Sequence, residues 1–259
     1  HDLTPVLFKT GKASTKSALE YYPKFFAMSK VISSAVKNSV AVITPTMFVK
    51  KQLVEMYSVD ANKVHPISEG VSEELKSAKE NSELKKKFSK PFFIYIGNFY
   101  PHKNVEMLIN AFEKVDKKYI LILVGPQDFF SGRVERIIKD RGLTERVSFF
   151  YNATLSDLVF FYKNAQALIH PSLSEGFGLT PIEAMHFDCP VVASNIEVFK
   201  ETLGESYISF NPKDEMSILN AIRKATSARG AQAKKPSKIF SFDMMAKETV
   251  DVYKIVSSI

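Results

Sequence analysis

From Pro91 onward the chain repeats one unit, a short apolar run followed by a helical pattern. The apolar runs lie near 92–97 (FFIYIG), 119–124 (YILILV), 146–150 (RVSFF), 166–169, 190–193 (PVVA) and 207–209. Helix-period stretches separate them, near 103–116, 131–141, 154–164, 180–187, 195–203 and 214–226. Parallel strands cannot be joined by a tight turn, so this rhythm predicts an α/β fold with a parallel sheet covered by helices on both faces. Such sheets bind ligands at the carboxyl ends of their strands, where helices begin. Three strand ends qualify: Gly97 leading to Lys103, Ile169 leading to Thr180, and Gly125-Pro126.

The first part of the chain is less regular. Residues 1–11 read as extended. A helical pattern covers 13–37, Ser39–Ile43 reads as a buried strand, and Thr44-Pro45-Thr46 opens a helix that runs to about Tyr57. Val64–Ile67 reads as a second strand. Residues 71–90 are charged and poor in large apolar side chains, which marks a linker carrying a surface helix and the expected domain boundary. Residues 227–238 read as an exposed loop. The last helix spans 240–258, with Phe242, Met245, Val250 and Tyr253 as its apolar marks.

Composition narrows the function classes. The chain has 259 residues and starts at His1 rather than Met, so it is expected to be a piece of a longer protein. No apolar run approaches the ~20 residues of a membrane span. A single cysteine, Cys189, excludes an internal disulfide and a cysteine-based zinc cluster, and points to a reducing cytoplasm. The net charge of +7 favours an anionic partner. Lys85, Lys86, Lys87 and Lys90 form one cluster, and Lys234, Lys235 and Lys238 another. Their first reading is solvated surface and their second is peripheral contact with an anionic membrane surface. No aromatic–basic RNA motif or zinc finger accompanies them, so nucleic acid is not an expected partner.

The stretch His170 to Met185 (HPSLSEGFGLTPIEAM) carries the strongest chemistry. Two glycines, Gly176 and Gly178, flank Phe177 between a strand and a helix. Thr180 reads as the N-cap, Pro181 as the first helical residue and Glu183 as a capping carboxylate. Unpaired N–H groups at a helix start, with glycines in front of them, suit an anion. Glu175 stands at the mouth of the loop. In the stretch GNFYPHKN, Gly97 ends a strand and Lys103-Asn104 opens a helix, where a lysine can set its ammonium on a phosphate. Each residue also has a plain alternative: Lys103 as a surface lysine, Glu175 as a solvated carboxylate, and His170 as a strand-end histidine bonded to a backbone carbonyl. No GxGxxG, GxxxxGK[ST] or GxSxG is present, and no Asp-x-Asp offers ligands for a metal.

Taken in order, HPSLSEGFGLTPIEAM, PVVAS, the upstream YIGNFYPHKN and the final FSFDMMAKETVDVY resemble the signature of the family 4 retaining glycosyltransferases of GT-B fold. The resemblance covers essentially the whole chain. It implies a Rossmann-like donor-binding domain at 91–238, a linker at 71–90, a crossover helix at 239–259, and at 1–70 the second half of an acceptor-side domain. It also implies roles. Glu175 would bond hydroxyls of the donor sugar, and the N–H groups of Gly176, Phe177, Gly178 and Leu179 would hold the sugar and diphosphate. Glu183 would bind the ribose hydroxyls and Lys103 would neutralise the leaving diphosphate. His1 would be the active-site histidine, Asn152 would lie near the base, and Gly97, Asn98 and His102 would complete the donor site.

There are departures from the family pattern. Asn98 stands where an arginine is frequent, and His102 where Arg often precedes the lysine, so a phosphate-binding cation is missing or weakened. The expected reaction moves a hexose, mannose or glucose, from a nucleotide-diphosphate sugar to a saccharide or lipid-linked acceptor of a surface polysaccharide, lipopolysaccharide or glycolipid. GDP-mannose is preferred on the Lys-Asn form, and neither metal nor cofactor is expected. No residue stands out as a covalent nucleophile, so same-face attack assisted by the leaving phosphate is expected. The rival reading is a non-catalytic nucleotide-sugar-binding module, and a third is an epimerase that releases free nucleotide without an acceptor.

Overall fold

Phe92, Ile94 and Ile96 alternate with Phe93 and Tyr95 along one strand, and both sets are buried. A strand with no polar face must lie inside a sheet covered on both sides. The computed structural model describes residues 3–8, 18–228 and 240–258. The six expected apolar runs form one six-stranded sheet: β3 (Phe92–Ile96), β4 (Ile120–Gly125), β5 (Val147–Tyr151), β6 (Leu168–His170), β7 (Val191–Ser194) and β8 (Ile208–Phe210), in the order β5-β4-β3-β6-β7-β8. Every pairing is parallel.

The intervening helices are α6 (Val105–Glu113), α7 (Phe129–Asp140), α8 (Leu155–Asn164), α9 (Leu179–His186), α10 (Glu197–Leu203) and α11 (Glu215–Ala228). They divide into two layers. Leu108, Phe112, Val134, Ile138, Ile218 and Ile222 of α6, α7 and α11 pack with Phe93, Leu121 and Leu123 on one face. Residues of α8, α9 and α10 pack with Phe92, Ile94, Ile122 and Leu168 on the other. Each fully buried Phe, Leu or Ile contributes about 1.5–3 kcal/mol, so these two cores are the main term holding the sheet.

Ahead of the sheet lie α1 (Thr4–Leu7), α2 (Ala18–Asn38), β1 (Val42–Thr44), α3 (Met47–Tyr57) and β2 (Val64–Pro66). The two strands form a separate parallel pair over a small core of Leu3, Val36, Leu53 and Val64. Residues 4–7 were expected to be extended; they make one helical turn, with a proline in that turn where its missing N–H costs nothing. The charged 71–90 stretch carries α4 (Glu73–Ser77) and α5 (Leu84–Lys87). Its few apolar residues are used: Leu75 and Leu84 are buried in the core beneath α8, with Phe88 packed against them. Lys87 sits over the rings of Phe88 and Phe150, and Lys85 pairs with Glu80.

The final helix α12 (Phe242–Ser257) forms, but its inner face differs from the one expected. Val250 and Tyr253 are exposed, and Val252 is the buried residue. Met245, Thr249, Val252 and Val256 share the i, i+4, i+7, i+11 stripe that turns inward. No described helix is long and apolar enough to cross a membrane. His1 and the lysines at 234, 235 and 238 lie outside the described residues.

Candidate functional site

In the sheet, β3 is followed on one side by β4 and β5, and on the other by β6, β7 and β8. The chain therefore reverses its direction of travel between β3 and β6, and a crevice opens beyond the carboxyl ends of those two strands. The loop after β3 carries Gly97 to Lys103, and the loop after β6 carries Pro171 to Gly178. The two stretches singled out in the sequence meet there.

The first loop is rigid. Gly97 has φ +150°, a conformation open to glycine alone. The Asn98 carbonyl accepts from the Tyr95 hydroxyl, and its side chain accepts from Tyr100 N at 3.3 Å. Asn98 thus closes the turn with its own polar atoms. Pro101–Lys103 form a 3-10 turn that ends at Asn104 in the left-handed region, φ 59°. The Asn104 amide donates to the carbonyls of Pro171 at 3.1 Å and Pro212 at 2.8 Å. Leu173 N donates to the carbonyl of His102 at 2.8 Å. These bonds tie the first loop to the second and fix the start of the Lys103 side chain.

Lys103 Nζ lies 2.7 Å from Glu175 Oε1, and His170 Nε2 lies 2.7 Å from the same oxygen. The three side chains are 15%, 12% and 3% exposed respectively, so solvent screens them weakly. Burial by itself would raise the Glu175 carboxyl; His170 and Lys103 outweigh it and hold Glu175 well below the usual carboxylate range. Burial lowers His170, which keeps the imidazole neutral. A carboxylate only accepts, so Nε2 carries the hydrogen and donates. His170 was expected to satisfy a backbone carbonyl. It bonds to Glu175 instead, because Glu175 five residues later folds back over the end of β6.

The glycine loop is held from outside. Thr46 donates its hydroxyl to the carbonyl of Gly176 at 3.0 Å, while accepting from Val49 N as the N-cap of α3. Thr4 and Ser174 hydroxyls share a bond of 2.9 Å. Phe177 points inward against Phe240. Gly178 has φ +86°, and a Cβ there would stand 2.4 Å from a ring carbon of Phe199. Among the described residues no group accepts from the N–H of Gly176, Phe177, Gly178 or Leu179.

Helix α9 starts two residues earlier than the capping pattern suggested. Gly178 is its N-cap and makes no side-chain cap bond, and Leu179 is the first helical residue. Thr180 is therefore inside the helix. Pro181 stands third, where the missing N–H would have had no helical acceptor. Glu183 falls too deep to cap and accepts from the Tyr162 hydroxyl at 2.8 Å instead. Burial pushes its carboxyl up, partly offset by that bond.

Lys103, Glu175 and the glycine loop are thus brought together, with His102 beside them. The His102 ring stacks on Tyr100 at 6.0 Å. Asn152 is exposed, at φ 54°, on the same edge of the sheet just after β5. His170, Tyr162, Asn104 and Thr46 were absent from the expected site. His170 and Asn104 lay inside the quoted stretches and Tyr162 and Thr46 did not; Asn104, Tyr162 and Thr46 find partners 21 to 130 residues away, at distances no spacing rule covers. Among the described residues no group of three His, Cys, Asp or Glu side chains could hold a metal ion.

Comparison with known proteins agrees with this architecture. The family described as "Glycosyl transferases group 1" matches residues 71–239, more than half of the chain. The O-antigen chain mannosyltransferase RfbU of Salmonella typhimurium is 31% identical over 207 residues, covering 78% of this chain and 57% of that protein. The chain therefore spans little more than half the length of that relative. Sucrose-phosphate synthase from Thermosynechococcus elongatus superposes with a TM-score of 0.76 at 23% identity, over 95% of this chain and 65% of that one. Anabaena HepE, solved with UDP-glucose, superposes at 0.70 with 17% identity, over 94% of this chain and 70% of that one. Both likenesses show a shared GT-B architecture. The chain belongs to the group 1 glycosyl transferases.

Proposed function

We propose that this chain carries the donor site of a retaining hexosyltransferase, which moves mannose or glucose from a nucleotide-diphosphate sugar to a saccharide or lipid-linked acceptor. The observation that carries the reading is the Lys103–Glu175–His170 cluster beside a glycine loop with open N–H groups, at the switch point of the sheet. Kinship with an O-antigen mannosyltransferase favours GDP-mannose as donor and a lipopolysaccharide or related glycan as product. UDP-glucose, the ligand of HepE, is the second donor. Neither donor chemistry asks for a metal when fixed cations and N–H groups meet the diphosphate.

Without donor, Lys103 pairs with Glu175. An arriving diphosphate competes for the ammonium, while the bond from His170 keeps Glu175 in place to accept from sugar hydroxyls. In the reaction the bond between C1 and the phosphate oxygen breaks, and its electron pair stays on the diphosphate. The acceptor oxygen bonds to C1 on the same face and gives its proton to the departing phosphate oxygen. Lys103 and the N–H groups of the glycine loop stabilise the charge that develops there. One fixed donor of this kind contributes ~3–4 kcal/mol. Glu183 accepts from the ribose hydroxyls, and Asn152 lies towards the base. The enzyme would work in the cytoplasm, with Lys86 and Lys90 facing the anionic inner membrane surface.

The test is transfer of labelled mannose from GDP-mannose to a lipid-linked saccharide. Lys103→Ala is expected to lower kcat by about 100- to 1,000-fold. Donor affinity without acceptor-dependent turnover would replace this reading with the non-catalytic binding module. Release of free nucleotide without acceptor would point to the epimerase.

A further inference from the structure

Tyr162 is 1% exposed, on the inner side of α8. Its ring lies parallel to that of Phe187, with centroids 5.7 Å apart and 7° between planes. Its hydroxyl donates to Glu183 Oε2 at 2.8 Å. A buried phenol must find a partner, and this one finds a carboxylate in the second turn of α9, the helix that starts from the glycine loop, rather than a carbonyl of the core. The bond fixes a side chain that would otherwise rotate about three torsions. It uses one of the carboxylate's roughly four acceptor positions, and leaves those on Oε1 for a ligand.

We propose that Tyr162 is a positioning residue for donor binding, which holds the Glu183 carboxylate in place as the acceptor for the two ribose hydroxyls of the nucleotide. This rests on the ribose role given to Glu183 above. The pair also sets how binding responds to pH. Burial favours the protonated, non-accepting form of Glu183, and the Tyr162 hydroxyl opposes it.

Other titratable groups on the elements around α9 are engaged elsewhere. On β6, His170 is bonded to Glu175. On α10, Glu197 pairs with Lys200, and Glu201 accepts from Met47 N and Phe48 N. On α8, Asp157 is bonded to Thr154 and Asn81, and Lys163 is exposed. His186 of α9 is exposed, and the Cys189 thiol donates to the Pro190 carbonyl at 3.7 Å. β7 has no titratable side chain.

The experiment is titration of the full chain with GDP-mannose and with UDP-glucose, from about pH 5 to pH 8, for the wild type, Tyr162→Phe and Glu183→Gln. The diphosphate of a nucleotide sugar has no proton to lose in this range, and Glu183→Gln supplies the baseline for all other groups. Wild-type affinity should fall in acid relative to that baseline. Tyr162→Phe keeps the ring and its stack on Phe187. It should bind more weakly at the alkaline end, where the carboxylate is charged but no longer held, and its acid loss should have a midpoint higher by about one pH unit, so that the deficit grows by a further factor approaching tenfold below both midpoints. Superposition of Tyr162→Phe on the wild type at every pH, or a uniform weakening at every pH, would overturn the proposal. Wild-type affinity in Glu183→Gln would instead overturn the ribose role beneath it. Absence of wild-type binding to either donor would remove both.

Discussion

Glu175 receives two donors on one oxygen, and they differ in kind. Lys103 is a mobile cation that a phosphate can attract; His170 is a neutral ring wedged between Tyr95 and Phe199. The ring has no freedom to follow a ligand, so it serves as the fixed partner. This has a consequence for stability. His170 is depressed in the fold, so the unfolded chain binds more protons than the folded one below about pH 6.5, and stability falls as the pH drops through that value. Glu175 is depressed too; its contribution is present above the unfolded carboxyl value of about 4.3 and is lost only in stronger acid. Thermal melts of the wild type should therefore lose Tm more steeply between about pH 6.5 and pH 5 than melts of His170→Gln, which keeps a donor without a titrating ring. Equal slopes would mean that His170 titrates normally in the fold.

The glycine loop and α9 show how an element depends on a distant one. Thr46 caps α3 and at the same time holds the Gly176 carbonyl, which fixes the plane of the peptide whose N–H belongs to Phe177. Thr46→Val keeps the shape and removes both bonds. It should cost about 1–2 kcal/mol in denaturant unfolding and weaken donor binding as well. A stability loss with unchanged donor affinity would show that the loop orients itself. Much of this region was legible in the sequence: the strand, the glycine-bearing loop and the helix after it all form in the expected order. The capping pattern misled because Thr-Pro-x-Glu is a good start signal, yet Phe199 packs so closely on Gly178 that the chain turns there, two residues sooner. Tyr162 was unreadable for a different reason. Helix period marks it as one more apolar residue of α8, and its hydroxyl gains meaning only through α9.

At the level of the chain as a whole, the alternation after Pro91 was enough to give the sheet, because a strand buried on both faces has no other place to go. The order of the strands was not written in that alternation. Nor was the inner face of α12, where exposed Val250 and Tyr253 look as apolar as buried Val252. The reversal of direction between β3 and β6 is what brings Lys103 and Glu175, 72 residues apart, into one ion pair. If that crevice is a donor site, its affinity resides in the diphosphate and the ribose together. Calorimetric titration with GDP, UDP and ADP, without added metal, addresses this directly. One nucleotide should bind at a single site, and Lys103→Ala and Glu183→Gln should each weaken it about tenfold or more. Binding that survives both substitutions unchanged would place the ligand elsewhere on the chain.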